Sequence, residues 1–186
     1  LKKSNFNLKN KITDKEIINY YYKIHQILKE NLYNDNFDSE QIFRRNNVDL
    51  NCDRHFEVFN TYNVIPKFCF GCYKIQINPK NIIELFKLYI VFDSLKLEKN
   101  NIRKCTIELR PSTKGAYKGL IYCSGLNEAN KIYNKILPIV QTSISEDLHI
   151  LIKRGCTEFS VLYPKFEAID QSMNYNESWK EKEEAI

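Results

Sequence analysis

Long apolar runs are missing from this chain. The longest apolar stretch, Ile82 to Leu97, is interrupted by Glu84, Lys87, Asp93 and Lys96, so it does not read as a bilayer-spanning helix. Glycine and proline are scarce, five of each in 186 residues, which excludes a collagen-like or loop-dominated chain. Charge of one sign is nowhere gathered into a block. The formal net charge of +5 is spread along the sequence, which permits an anionic partner without requiring one. Signatures with a known catalytic mechanism are also missing: there is no H-E-x-x-H, no G-x-S-x-G, no dinucleotide fingerprint and no carboxylate cluster. Leu1 to Asn10 is polar and carries no signal-peptide pattern, although the lack of an initiator Met leaves upstream processing open. The expectation is a soluble, cytoplasmic protein.

What is present is a globular composition. Apolar residues make up 43% and aromatics 13%, enough for one domain with a core, or a compact domain plus an appendage. The richness in Lys, Asn, Ile and Tyr reads as an AT-rich coding bias, which weakens any inference from a single Lys or Asn. Six cysteines raise the question of a disulfide scaffold, but a chain of this size and patterning does not need one. Reduced thiols are expected.

Hydrophobic period and punctuation predict the elements. Thr13-Asp14-Lys15-Glu16 is a capping box, followed by Ile17, Tyr20, Tyr21, Ile24, Ile27 and Leu28 at helical spacing. A shorter helix is expected from Ser39, with Ile42 and Phe43 inward and Arg44 and Arg45 outward. Asn46 to Asp53 reads as a connection and His55 to Tyr62 as a further helical turn. Cys72 to Asn78 alternates as a half-buried strand, with Tyr73, Ile75 and Ile77 on one face. Asn78-Pro79 is read as the start of a helix reaching about Leu95. Arg103 to Arg110 and Gly119 to Cys123 are the next strands, joined by a turn from Pro111 to Gly115. Ser124 caps a helix with the stripe Leu126, Ala129, Ile132, Tyr133, Ile136, Leu137 and Val140, which Pro138 ends or kinks. His149 to Lys153 is a fourth strand and Thr157 to Tyr163 a fifth. The polar tail finishes in a charged helix, Glu177 to Glu184.

From Cys72 the order is strand, helix, strand, strand, helix, strand. That is the split βαβ pattern, so the predicted class is α+β: a ferredoxin-like antiparallel sheet with both helices on one face. A helical N-terminal extension (1–66) precedes the 67–164 domain, which ends on an extra C-terminal strand, and a polar tail (165–186) follows.

Two constellations carry the chemistry. The first is Cys52-x2-His55 followed, after a gap of thirteen residues, by Cys69-x2-Cys72. Thiolate and imidazole ligands in two tight pairs are how structural zinc is encoded, and Gly71 supplies backbone freedom for the second pair. Buried, unliganded thiols are the competing reading, favoured by the flanking Phe68, Phe70 and Tyr73. A redox pair at Cys69–Cys72 is the weakest, because a strand rather than a helix N-terminus follows it. The second constellation is one face of the predicted sheet, presenting Lys74, Gln76, Thr106, Glu108, Arg110, Tyr122 and Lys153. Such faces serve as binding platforms, and Lys104 and Arg154 add to its cationic row. The segment Arg110 to Gly119, with Ser112, Thr113 and Lys114, resembles a phosphate loop in content but lacks its order and its following helix.

Two functions follow. One is a binding module for nucleic acid or another anionic partner on the open sheet face, with zinc as a structural staple. The alternative is a small enzyme between the N-terminal segment and the sheet. It would use Cys123, at a strand-to-helix junction, as nucleophile, or His55 with Glu57 and Asp53 as an acid–base pair. A subunit whose apolar helix faces are covered by partners is the third possibility.

Overall fold

Residues 11–29, 41–108, 115–170 and 172–186 are described by the computed structural model, apart from the side chains at 21 and 24–29. The chain is α+β, with a five-stranded antiparallel sheet and, among the described residues, six α-helices. None of these helices is long and apolar enough to cross a membrane.

Helix α1 (Asp14–Lys29) begins on the expected capping box: the Thr13 N–H donates to Glu16 Oε2 (2.8 Å) and the Glu16 N–H to Thr13 Oγ1 (3.3 Å). Ile12 and Ile17 are buried, and the largely buried Lys87 ion-pairs with Asp14 across the helix interface.

The helix expected from Ser39 is corrected over its described part. Gln41–Arg45 is strand β1, hydrogen-bonded antiparallel to β3 (Arg103–Ile107), with Phe43 opposite Cys105. Ile42 and Phe43 therefore point to opposite sides: Phe43 packs on the core against Tyr89 while Ile42 is exposed. The free edge of β3 supplies backbone partners that outweigh the weak local helical signal. Ser39 itself lies outside the described residues.

Helix α2 (Cys52–Tyr62) starts earlier than expected, directly after Asn51 in the left-handed region, so Cys52 and Asp53 belong to its first turn. Helix α3 (Lys67–Gly71) is a single turn after Pro66; Cys69 is thus on a helix and not at a strand entrance. Strand β2 (Cys72–Asn78) follows the predicted alternation. Helix α4 (Ile82–Ser94) is capped by Asn81, whose side chain accepts from the Glu84 N–H (2.9 Å), and not by Asn78. The Asn81-x-x-Glu84 spacing is the better cap. Strand β4 (Tyr117–Ser124) leads into helix α5 (Leu126–Ser143), which runs through Pro138 without ending. Gly125 is its cap residue, and the Ser124 N–H and hydroxyl both donate to Glu128 (2.6 and 2.9 Å).

Strand β5 (His149–Arg154) completes a sheet ordered β1-β3-β4-β2-β5. The extra strand comes from the N-terminal part, not from Thr157 to Tyr163. There the chain makes a 3₁₀ turn, Thr157–Val161, which buries Phe159 alone and leaves Val161 and Leu162 exposed. The turn at Gly155 diverts the chain away from the sheet. The tail ends as expected in helix, a 3₁₀ turn at Glu177–Trp179 and then α6 (Lys180–Glu184).

Two cores result. On one sheet face α1, α4 and α5 pack over Ile75, Ile77, Cys105 and Ile121. On the other, Phe59 of α2, Ile65, Cys69 of α3, and Phe159 and Phe166 from beyond β5 form a smaller aromatic cluster, with Trp179 against it. This second cluster roofs part of the face that carries Lys74 and Lys153.

Candidate functional site

Alternation along four strands sends one set of side chains away from α4 and α5. Lys74 and Gln76 of β2, Lys104 and Thr106 of β3, Lys118, Leu120 and Tyr122 of β4 and Lys153 of β5 line a cavity of about 210 Å³ with Glu108. Cys52, Phe56, Cys156, Thr157 and Glu158 form its roof. Six of the seven face residues read from the sequence thus meet in one place. The seventh, Arg110, lies outside the described residues, as do Leu109 and the loop residues Pro111 to Lys114.

The face is a cleft and not the open platform expected. Lys74 is 5% exposed and Lys118 8%. Lys118 pairs with Glu108 (3.5 Å), and Lys153 donates to Thr157 Oγ1 (2.5 Å) and Glu167 (3.1 Å). Burial, together with Lys74, pulls the Lys153 ammonium below its ordinary value against the pull of Glu167. Lys74 and Lys104 lie over the Tyr122 ring, 4.9 and 5.6 Å from its centroid. Burial opposes the charge on Lys74, but the Cys156, Tyr122 and Cys72 groups beside it hold its value above the ordinary one. Arg154, counted in the cationic row, is elsewhere: its guanidinium is clamped between Phe70 and Phe166. A strand starting at Gly119 leaves Lys118 out of the predicted face; the alternation Lys118, Leu120, Tyr122 carries the signal that includes it.

Cys52, His55, Cys69 and Cys72 also meet. They line a small cavity of about 10 Å³ with Lys74, Gly155 and a further thiol, Cys156. The His55 ring stacks on Phe68 at 5.1 Å, and burial lowers its pKa. All six cysteines are free, and among the described residues no three His, Cys, Asp or Glu side chains are positioned to hold a metal ion. Burial pushes the Cys72 thiol up to about 11 and raises Cys52 and Cys69 as well. Cys156 has no spacing partner in sequence; only the turn after β5 brings it here, where the Gly155 N–H donates to the Cys72 carbonyl (2.7 Å).

The acid–base pair is not assembled. Along α2, His55 is two residues from both Asp53 and Glu57, about 200° around the helix. The imidazole is buried, and both carboxylates are exposed on the far side. Cys123 is 5% exposed on the helix-covered face, and burial, then Glu128, push its thiol up to about 12. His149 bonds Asn78 at the opposite end of β2, roughly 17 Å from the Cys123 level at ~3.3 Å per residue. His149 therefore offers Cys123 no base, and the thiol is not ionised near neutrality.

No protein-family model matches the sequence, and no curated protein or solved structure matches it either.

Proposed function

We propose that the protein is a binding module for a small anion, a phosphate or carboxylate group, seated in the lysine-lined cleft beside Tyr122. The observation that carries this is the pair Lys74 and Lys104: both ammoniums face the Tyr122 ring, and neither has a carboxylate partner among the described residues. A cleft of about 210 Å³ suits one small charged group. A polynucleotide laid across the sheet would need the lysines to project, and Lys74 and Lys118 are buried under the roof. The same reading treats residues 72–154 as a ferredoxin-like unit. The strand order β5-β2-β4-β3, antiparallel throughout with α4 and α5 on one face, supports it.

Calorimetric titration with inorganic phosphate at low ionic strength tests the proposal. Binding is expected to weaken with added salt, and about tenfold in each of Lys104→Ala and Lys153→Ala. Absence of binding at low salt, or wild-type affinity in both variants, would overturn it. So would tight binding of a single-stranded oligonucleotide with no binding of phosphate.

A further inference from the structure

We propose that Cys52, Cys69, Cys72 and Cys156 form a four-thiolate site for a zinc ion, with Lys74 as the residue that balances its charge. The fold collects these sulfurs from four places: the first turn of α2, the single turn of α3, the first residue of β2 and the turn after β5. Two backbone bonds fix three of them together. The Cys72 N–H donates to the Cys69 carbonyl, and the Gly155 N–H donates to the Cys72 carbonyl, which sets Cys156 beside Cys72. The cavity they share is about 10 Å³, room for one small ion and little else.

Lys74 supplies the second observation. It is 5% exposed, and its ammonium donates to Cys156 Sγ at 3.0 Å. A buried cation is costly unless an anion stands next to it. Here the neighbour is the Cys156 sulfur. Four thiolates around Zn²⁺ carry a net charge of −2, and an N–H donated to one sulfur is the usual way a protein neutralises part of it. Zinc uptake converts four thiols to thiolates and releases their protons, leaving Lys74 with an anionic partner.

Cys156 takes the place that sequence spacing gave to His55. That imidazole is engaged face to face with Phe68, whereas Cys156 already bonds Lys74. Among the described residues the four sulfurs form no ready-made metal group, so the site would close only by reorientation of side chains that already line one cavity. Cys105 and Cys123 belong to the helix-covered core and take no part. The site ties α2, α3 and the roof to β2 and takes up Lys74, so an anion in the cleft is left to Lys104 and Lys153.

The test is zinc content of the full chain purified without chelator, followed by replacement of zinc with Co²⁺. One zinc per chain is expected, and a cobalt spectrum with the thiolate charge-transfer and tetrahedral bands of four sulfur ligands. Cys52→Ser and Cys156→Ser should abolish uptake, Lys74→Met should weaken it about tenfold, and His55→Phe and Cys123→Ala should leave it intact. Folded wild-type protein that takes up neither zinc nor cobalt would overturn the proposal. A spectrum of three thiolates and one imidazole, lost in His55→Phe, would also overturn it, as would an iron–sulfur chromophore. The wild-type spectrum decides the ligand set even where a cysteine variant does not fold.

Discussion

Gly155 sits at φ +61°, and a Cβ built there would stand 2.2 Å from the Phe166 ring. Two separate penalties therefore meet at one position, the left-handed backbone and an overpacked aromatic. Gly155→Ala is expected to destabilise the protein by about 2–4 kcal/mol in urea denaturation. Arg103 poses the opposite problem, a cation on the core face. Only 1% exposed, it donates through Nη1 to the carbonyls of Phe92 and Leu95 and through Nη2 to Asn100 (3.0 Å), closing the C-terminal end of α4. Arg103→Met should cost about 3 kcal/mol, because those carbonyls stay buried without a donor. Alternation placed residue 103 on that face, but nothing local showed that the end of α4 would come to meet it.

At the scale of elements, α5 depends on Glu128. Burial works against its charge, but the Ser124 N–H and hydroxyl hydrogen bonds, with those from Asn101 and Lys99, together outweigh burial, and the carboxyl lies below its ordinary value. A lowered folded-state pKa stabilises above the unfolded value, and that contribution is lost as pH falls through the lower, folded one. Wild-type stability should fall from this source on acidification below about pH 4.5, and Glu128→Gln should remove that part of the pH dependence. Denaturant titrations at several pH values would show it. Pro138 shows the limit of punctuation. It removes one helical hydrogen bond, yet Ile136, Val140 and Ile144 are buried on either side and hold α5 continuous to Ser143.

For the whole molecule, the C-terminal segment is a structural part and not a free tail. Trp179, the one tryptophan, packs against Phe70, Tyr163 and Tyr175, and Glu183 accepts from the Lys67 N–H (2.9 Å). Phe70→Ala should lower stability by about 2–3 kcal/mol and shift Trp179 fluorescence toward that of a solvated indole. An unchanged emission would mean that the segment is held by other contacts.

Local pattern was enough for the elements that are amphipathic over their whole length. The capping box at Thr13, the alternation from Cys72 to Asn78 and the stripe from Leu126 to Val140 each bury a face defined by their own period. It was also enough for the lysine face, because a period of two assigns Lys74, Gln76, Thr106 and Tyr122 to one side whatever the neighbours do. Tertiary structure decided the rest. Gln41–Arg45 became a strand because β3 offered an edge, and Thr157–Val161 left the sheet because Phe159 had an aromatic cluster to join. The roof of α2 and that cluster turned an open face into a cleft, and the same roof brought Cys156 to Cys52, Cys69 and Cys72. Contacts between residues a hundred positions apart leave no trace in local spacing, since neither partner's neighbours record which surface it will meet.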